Sequence, residues 1–273
     1  MRPEQTPSAA ALAALAVEFA TGAATEILTL RDSPDGAGIQ IDSKSTVTDL
    51  VTTADKASER WLVKQILAAR PNDGVVGEEG ADRPGTSGVR WIVDPIDGTV
   101  NFVLGLPNYA VSVGVEVDGE VIAGAVCNVE SGEVFHAAKG SGAFLGDTQL
   151  HGPRGVPLSR AVVGTGFGYD AERRARQIAV VAALLPRIAD LRRMGAASLD
   201  LCSVAAGRLD AYFEAGLNHW DYAAGALIAA EAGCVVSGLR GREPSTQLTV
   251  ASGPSLAAEL AAALETLDAD AVL

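Results

Sequence analysis

The chain has 273 residues, 48% of them hydrophobic, with 30 glycines and a formal net charge of −13. That is enough apolar material for a sizeable core, in one large domain or two intimately packed layers. The acidic balance disfavours non-specific binding to nucleic acid or anionic membranes, since both need a positive surface. No stretch reaches the roughly 18–20 uninterrupted apolar residues that span a bilayer.

The N-terminus, Met1-Arg2-Pro3-Glu4-Gln5, lacks a charged region followed by an apolar signal core. Residues 8–29 are alanine-rich but carry Glu18 and Glu26, and they read as an amphipathic helix. A glycine-rich loop at 34–38 leads to an extended piece around 39–43. Thr53-Ala54-Asp55 opens a second helix that runs to about Ala69, before Pro71, with Trp61, Leu62, Ile66 and Leu67 at helical spacing. Strands then end at Glu78 and at Asp94. Residues 110–118 and 120–128 form a hairpin through Asp118-Gly119, and 133–138 a third strand. Helical patterns recur at about 170–185, 197–206, 221–232 and 254–267. Strands are expected between them, at about 161–165, 210–214, 233–237 and 247–251, with surface loops at 81–88 and 238–246. That order specifies helices and strands in layers, α+β or α/β. Cys127, Cys202 and Cys234 are widely spaced in apolar surroundings and read as buried free thiols of a reducing cytoplasm.

The run Trp91-Ile92-Val93-Asp94-Pro95-Ile96-Asp97-Gly98-Thr99-Val100-Asn101-Phe102 carries the chemistry. An apolar strand delivers two carboxylates and an intervening carbonyl to one point, the oxygen donors that hard divalent cations require. Gly98 and Thr99 can open a short helix whose free N–H groups seat a phosphate. Asp-Pro and Asp-Gly are also ordinary turn dipeptides. Two further acidic places weigh against that plainer reading. Gly77-Glu78-Glu79-Gly80 follows Val75-Val76, and Trp220-Asp221 opens the small-residue helix from Tyr222 to Ala232.

Together, GEEG at 77–80, WIVDPIDGTVNF at 91–102, WDYAAGALIAAEAG at 220–233 and the upstream Lys44…Asp49-Leu50-Val51-Thr52-Thr53-Ala54-Asp55 resemble the inositol monophosphatase family. These are Mg²⁺-dependent, lithium-sensitive phosphatases, and the bacterial inositol-1-monophosphatase branch is the one resembled. The likeness runs from about residue 40 to about residue 237. It implies a layered sandwich of alternating helix and sheet, an N-terminal half (1–155) bearing most metal ligands and a C-terminal half (156–273), in one compact unit without a linker. It implies two or three Mg²⁺ ions, a homodimer, and direct attack of water on a small phosphate monoester. Glu78, Asp94 and the carbonyl of Ile96 resemble ligands of a first metal, and Asp94, Asp97 and Asp221 those of a second. A third ion would sit near Glu78, which also counts with Asp55 and Thr99 in the catalytic set. Thr99, paired with Asp55, would orient the attacking water. Gly98 and Thr99 N–H groups and Lys44 would hold the phosphate. Gly195, Ala196, Ala197, Glu214 and Asp97 would contact the substrate alcohol. The family often has a hydroxyl residue at the position of Ala196.

Three functions remain open on these residues. Inositol 1-phosphate leads, because Val100 and Leu104 stand where the histidinol-phosphate branch often carries basic residues. The same chemistry on histidinol phosphate, fructose 1,6-bisphosphate or 3′-phosphoadenosine 5′-phosphate is second, though a nucleotide calls for more basic residues than the sequence places near the site. A non-catalytic regulatory partner is third. His136 and His151 read as structural or exposed, His219 as a candidate near the leaving group, Trp91 and Trp220 as packing anchors, and Glu79 as facing solvent or a neighbouring N–H.

Overall fold

In a computed structural model of the chain, residues 7–32, 40–44 and 49–272 are described. The extreme N-terminus and the loop expected at 34–38 lie outside them. A small antiparallel ribbon, β1 (Ile41–Ser43) with β2 (Leu50–Thr52), precedes two sheets. The larger contains β3 (Gly74–Gly77), β4 (Asp82–Arg83), β5 (Val89–Asp97), β6 (Ala110–Val117), β7 (Glu120–Asn128), β8 (Val134–Ala138), β9 (Ala143–Leu145) and β10 (Thr148–Gln149). Its order is β10-β9-β8-β7-β6-β5-β3-β4, antiparallel except for β3 beside β5. The smaller sheet holds β11 (Val162–Thr165), β12 (Asp190–Arg192), β13 (Ala211–Glu214), β14 (Val235–Ser237) and β15 (Thr249–Ser252), ordered β12-β11-β13-β15-β14. There β11 pairs in parallel with both β12 and β13, while β15 pairs antiparallel with β13 and β14.

Three apolar cores hold five layers together, the middle one on both sides of its helix layer, so the fold is the expected sandwich of alternating helix and sheet. The first core lies between the outer face of the large sheet and helices α1 (Ala9–Arg31) and α2 (Thr53–Ala69). Val111, Val113 and Val115 of β6 and Ala123 and Ala125 of β7 alternate into it, as a pleated strand requires. After the short α3 (Thr99–Leu104) and α4 (Ala171–Leu184) in chain order, α5 (Ala197–Ala205) and α6 (His219–Glu231) fill the second core, between the sheets. There the large sheet turns its small residues inward. A Cβ on Gly114 would stand 3.2 Å from Ala223 Cβ, and one on Gly124 3.1 Å from Ala224. Glycine on the sheet and alanine on α6 let helix and sheet approach closely. The third core packs α4 and α7 (Pro254–Thr266) on the far side of the small sheet.

Helix α1 has the length and hydropathy of a membrane span, yet Leu12, Ala16, Phe19, Ala20, Ala23 and Ile27 bury its inner face against the large sheet. Helix α2 begins where its cap dictates. Thr52 accepts from the Ala54 and Asp55 N–H groups while Asp55 accepts from the Thr52 N–H, a reciprocal capping box.

Several sequence expectations need correction. The strand expected to end at Asp94 continues to Asp97, α6 begins at His219 instead of 221 because Asn218 caps it, and the loop expected at 81–88 contains β4. The short strands β9, β10 and β12 have two or three residues each, too few for an alternating pattern to register.

Candidate active site

The shape of β5 explains how two aspartates three residues apart act together. In a regular strand such a pair would point to opposite faces. Asp94 pairs with Ser112 and Asp97 with Ala110, so β5 spends one more residue than β6 between these points. This bulge turns both carboxylates to the same place. Pro95 sits inside it, where the ladder does not need its missing N–H. Gly98 follows at φ +93°, and a Cβ there would also crowd Asn108 O at 3.0 Å and Gly195 O at 3.1 Å.

Glu78, Asp94, Ile96, Asp97, Gly98, Thr99 and Asp221 line one cleft of about 360 Å³, together with Gly195, Ala197 and Glu214. Ala196 is buried and is not part of its wall. Asp55 stands directly behind Thr99, whose hydroxyl donates to Asp55 Oδ1 at 3.1 Å or to the Ile96 carbonyl at 3.1 Å. The Ile96 N–H donates to Asp94 Oδ1 at 3.0 Å. Asp97 is gripped from the other half of the chain by the Ser198 hydroxyl at 2.5 Å and N–H at 2.7 Å, and by the Ala197 N–H at 3.2 Å. Asp221 lies in the first turn of α6 and accepts from the Asn218 N–H at 2.6 Å.

Lys44 follows the ribbon strand β1 and its ammonium donates to Glu78 at 2.8 Å and Glu79 at 2.5 Å. The Glu79 side chain is therefore 4% exposed, not facing solvent as expected. His219 lies against Tyr222, with ring centroids 5.3 Å apart and planes tilted by 44°, and is not among the cleft residues. His136 bonds the Gly146 carbonyl at 3.0 Å. Trp91 is fully buried and its indole N–H donates to Asp73 at 3.0 Å.

The electrostatics are those of crowded, buried acids. Burial holds the Asp94 carboxyl well above the usual range, and the charges of Glu78, Asp97 and Asp221 add to it. Asp221 is raised for the same reasons. Asp97 is pushed up to about 6 by burial against the opposing pull of Ser198. Burial likewise lifts Asp55 to about 6 and Glu214 to about 7, although Tyr212 donates to the latter at 2.5 Å. Among the described residues no three of these groups already form a closed metal cage. Protein donors occupy Glu78, Asp97 and Asp221 separately. The donor set nevertheless fits a hard divalent cation: four carboxylates and a carbonyl face one cleft, with negative charge that a cation would neutralise.

Sequence reasoning missed Glu59, Ser198, Arg173 and Arg193. Glu59 lies one helical turn after Asp55 on α2 and accepts from the Glu79 N–H at 2.8 Å and the Ala81 N–H at 2.9 Å, which shapes the turn bearing Glu78. The i, i+4 spacing of Asp55 and Glu59 is the one signal that points to it. Arg173 and Arg193 line the cleft from the second half of the chain.

The chain is similar to known proteins over nearly its whole length. The inositol monophosphatase family pattern matches residues 9–269. An inositol-1-monophosphatase of Mycobacterium bovis is 47% identical, covering 97% of this chain and 96% of that protein. A protein of Pasteurella multocida named Nus factor SuhB is 42% identical over 74% of this chain and 76% of its own. The solved structure of Mycobacterium tuberculosis SuhB superposes with a TM-score of 0.82 at 41% identity, covering 97% of this chain and 99% of that one.

Proposed function

The chain belongs to the inositol monophosphatase family, and from that premise we propose that it is a Mg²⁺-dependent phosphatase that hydrolyses inositol 1-phosphate to inositol and phosphate by direct attack of water. The bulge that turns Asp94 and Asp97 into one cleft with Glu78 and Asp221 is the observation that carries this reading. Glu78, Asp94 and the Ile96 carbonyl would hold one Mg²⁺, and Asp94, Asp97 and Asp221 a second. A third would lie near Glu78, beside the Lys44 ammonium. Bound there, Mg²⁺ supplies charge neutralisation for the phosphoryl oxygens and the departing alkoxide, and lowers the pKa of water.

The protein's own groups do the rest. Asp55 takes the Thr99 hydroxyl proton as a hydrogen bond, which leaves the Thr99 oxygen lone pairs to accept from a water and aim it. The Gly98 and Thr99 N–H groups stand at the start of α3 and hold phosphoryl oxygens. Glu214 accepts from a substrate hydroxyl, with Asp97 and the backbone around Gly195 and Ala197 as further partners. Ala196 offers no hydroxyl, so one contact common in the family is absent. The three buried free thiols support a reducing cytoplasmic setting. Exposed Leu104, Leu106 and Met194 lie in neighbouring segments, which supports the homodimer, and lithium sensitivity belongs to the same proposal.

The test is phosphate release with and without Mg²⁺ from inositol 1-phosphate, histidinol phosphate, fructose 1,6-bisphosphate and 3′-phosphoadenosine 5′-phosphate. Mg²⁺-dependent preference for inositol 1-phosphate is expected, and preference for another ester would keep the site and change the substrate. A folded protein inactive on all four would remove the reading and bring forward the Nus-factor role that one relative's name carries.

A further inference from the structure

Helix α5 takes its N-terminal cap from the other half of the chain. The first N–H groups of a helix need an acceptor, and the residue at its cap position, Ala196, has no side-chain oxygen. Asp97 supplies it instead. Its Oδ1 accepts from the Ala197 N–H at 3.2 Å and its Oδ2 from the Ser198 N–H at 2.7 Å. A carboxylate is also the charge that the positive end of a helix favours.

Ser198 adds a third donor that the cap does not require. Its hydroxyl donates to the same Oδ2 at 2.5 Å. Ser198 is fully buried and is not among the cleft residues, whereas Asp97 and Ala197 both line the cleft. The hydroxyl therefore holds the carboxylate from behind. The turn that carries it is itself held by α6, the helix that bears Asp221. A Cβ on Gly225 of α6 would stand 2.9 Å from Leu201 Cβ and 3.1 Å from the Ser198 carbonyl oxygen. Two short bonds use both lone pairs of Oδ2, while Oδ1 carries one longer bond and keeps a lone pair for a cation.

We propose that Ser198 is a positioning residue, whose hydroxyl fixes the Asp97 carboxylate for the second Mg²⁺ and so sets how tightly that ion is held. The last torsion of an aspartate side chain is broad. Without the hydroxyl, Oδ2 keeps one N–H, the carboxylate can turn, and its ordering is charged to metal binding. The proposal rests on the assignment of Asp97 to the second Mg²⁺ in the phosphatase reading.

Calorimetric titration with Mg²⁺ alone tests it, on the wild type, Ser198→Ala, Ser198→Cys, and each variant combined with Asp97→Asn. Cysteine keeps nearly the size of serine with a weak donor, and it decides the matter if the alanine variant does not fold. One Mg²⁺ binding step should weaken about tenfold in both single variants. The half-saturating Mg²⁺ concentration for phosphate release should rise with it, while kcat at saturating Mg²⁺ stays within about twofold of the wild type. In the Asp97→Asn background the Ser198 substitutions should change nothing further. Mg²⁺ affinity unmoved in the single variants, whatever happens to urea stability, would overturn the proposal and leave Ser198 a structural residue of α5. An effect that persists without Asp97 would overturn it too. A folded wild type that binds Mg²⁺ but cleaves no ester removes the phosphatase reading alone, and one that binds no Mg²⁺ removes this proposal as well.

Discussion

Replacing Glu59 with glutamine should weaken metal binding at a residue that touches no metal. Helix α2 works as a brace with two carboxylates one turn apart: Asp55 reaches the Thr99 hydroxyl, and Glu59 holds the turn that carries Glu78. Glu59 is 6% exposed, and its two oxygens take the Glu79 and Ala81 N–H groups at 2.8 and 2.9 Å. Glutamine keeps one acceptor and points an NH₂ at the other N–H. A hydrogen bond to a charged group contributes about 1.5–3 kcal/mol. Relief of the buried charge offsets part of that, because burial raises the Glu59 carboxyl above its ordinary pKa. A net loss of about 1.4 kcal/mol borne by the Glu78 turn corresponds to a tenfold weaker metal site. The assay is phosphate release titrated with Mg²⁺, alongside urea unfolding. The half-saturating Mg²⁺ concentration should rise about tenfold, with most of the maximal rate regained at saturation. Lower stability with unchanged Mg²⁺ dependence would refute the brace, leaving Glu59 an ordinary structural residue.

Other consequences are equally direct. Asp94→Asn should fold, lose turnover, and no longer gain thermal stability from added Mg²⁺, because the carboxylate proposed to serve both metals is gone; an active variant would remove the metal assignment. Thr99→Ala should lower kcat by about 10²-fold with little change in KM, and Thr99→Ser should restore most of it; a pure KM effect would take Thr99 out of water orientation. Burial holds Asp97 and Asp55 to about 6 and Glu214 to about 7, so the metal-free fold binds more protons than the unfolded chain between about pH 4 and 7. Its stability is present below the ordinary carboxylate pKa and falls as pH rises through that window. Melting curves in chelator should show that decline and Mg²⁺ should reverse it at pH 8; a flat profile in chelator would contradict the buried-acid account.

Much of the frame was legible because its signals are local. Thr52 and Asp55 announce the start of α2, Asp118-Gly119 turns the β6–β7 hairpin, and the apolar spacing of α4, α5 and α7 fixes those helices to within a few residues. The bulge in β5 was not legible. Strict alternation would have set Asp94 and Asp97 on opposite faces, and only the register against β6 reveals the added residue. The acid-bearing turn with Pro95 and Gly98, not strand periodicity, points to these two carboxylates as partners, and the family likeness agrees. Glu79 was misplaced because its Lys44 partner lies 35 residues away. Arg173 and Arg193 were overlooked for the same reason, since parallel strand pairing brings them to the cleft and leaves no trace in spacing.

The grip of Ser198 on Asp97 spans 101 residues, so on a chain synthesised from its N-terminus Asp97 emerges well before the donors that hold it. The large sheet can form once β10 has emerged, and it presents Glu78, Asp94 and Asp97 early. Its inner face then waits for α5 and α6, and Asp97 waits for the donors that hold it still. Asp221 arrives with α6, after four-fifths of the chain. A nascent chain halted short of that point lacks Asp221, and with it one of the four cleft carboxylates proposed as metal ligands.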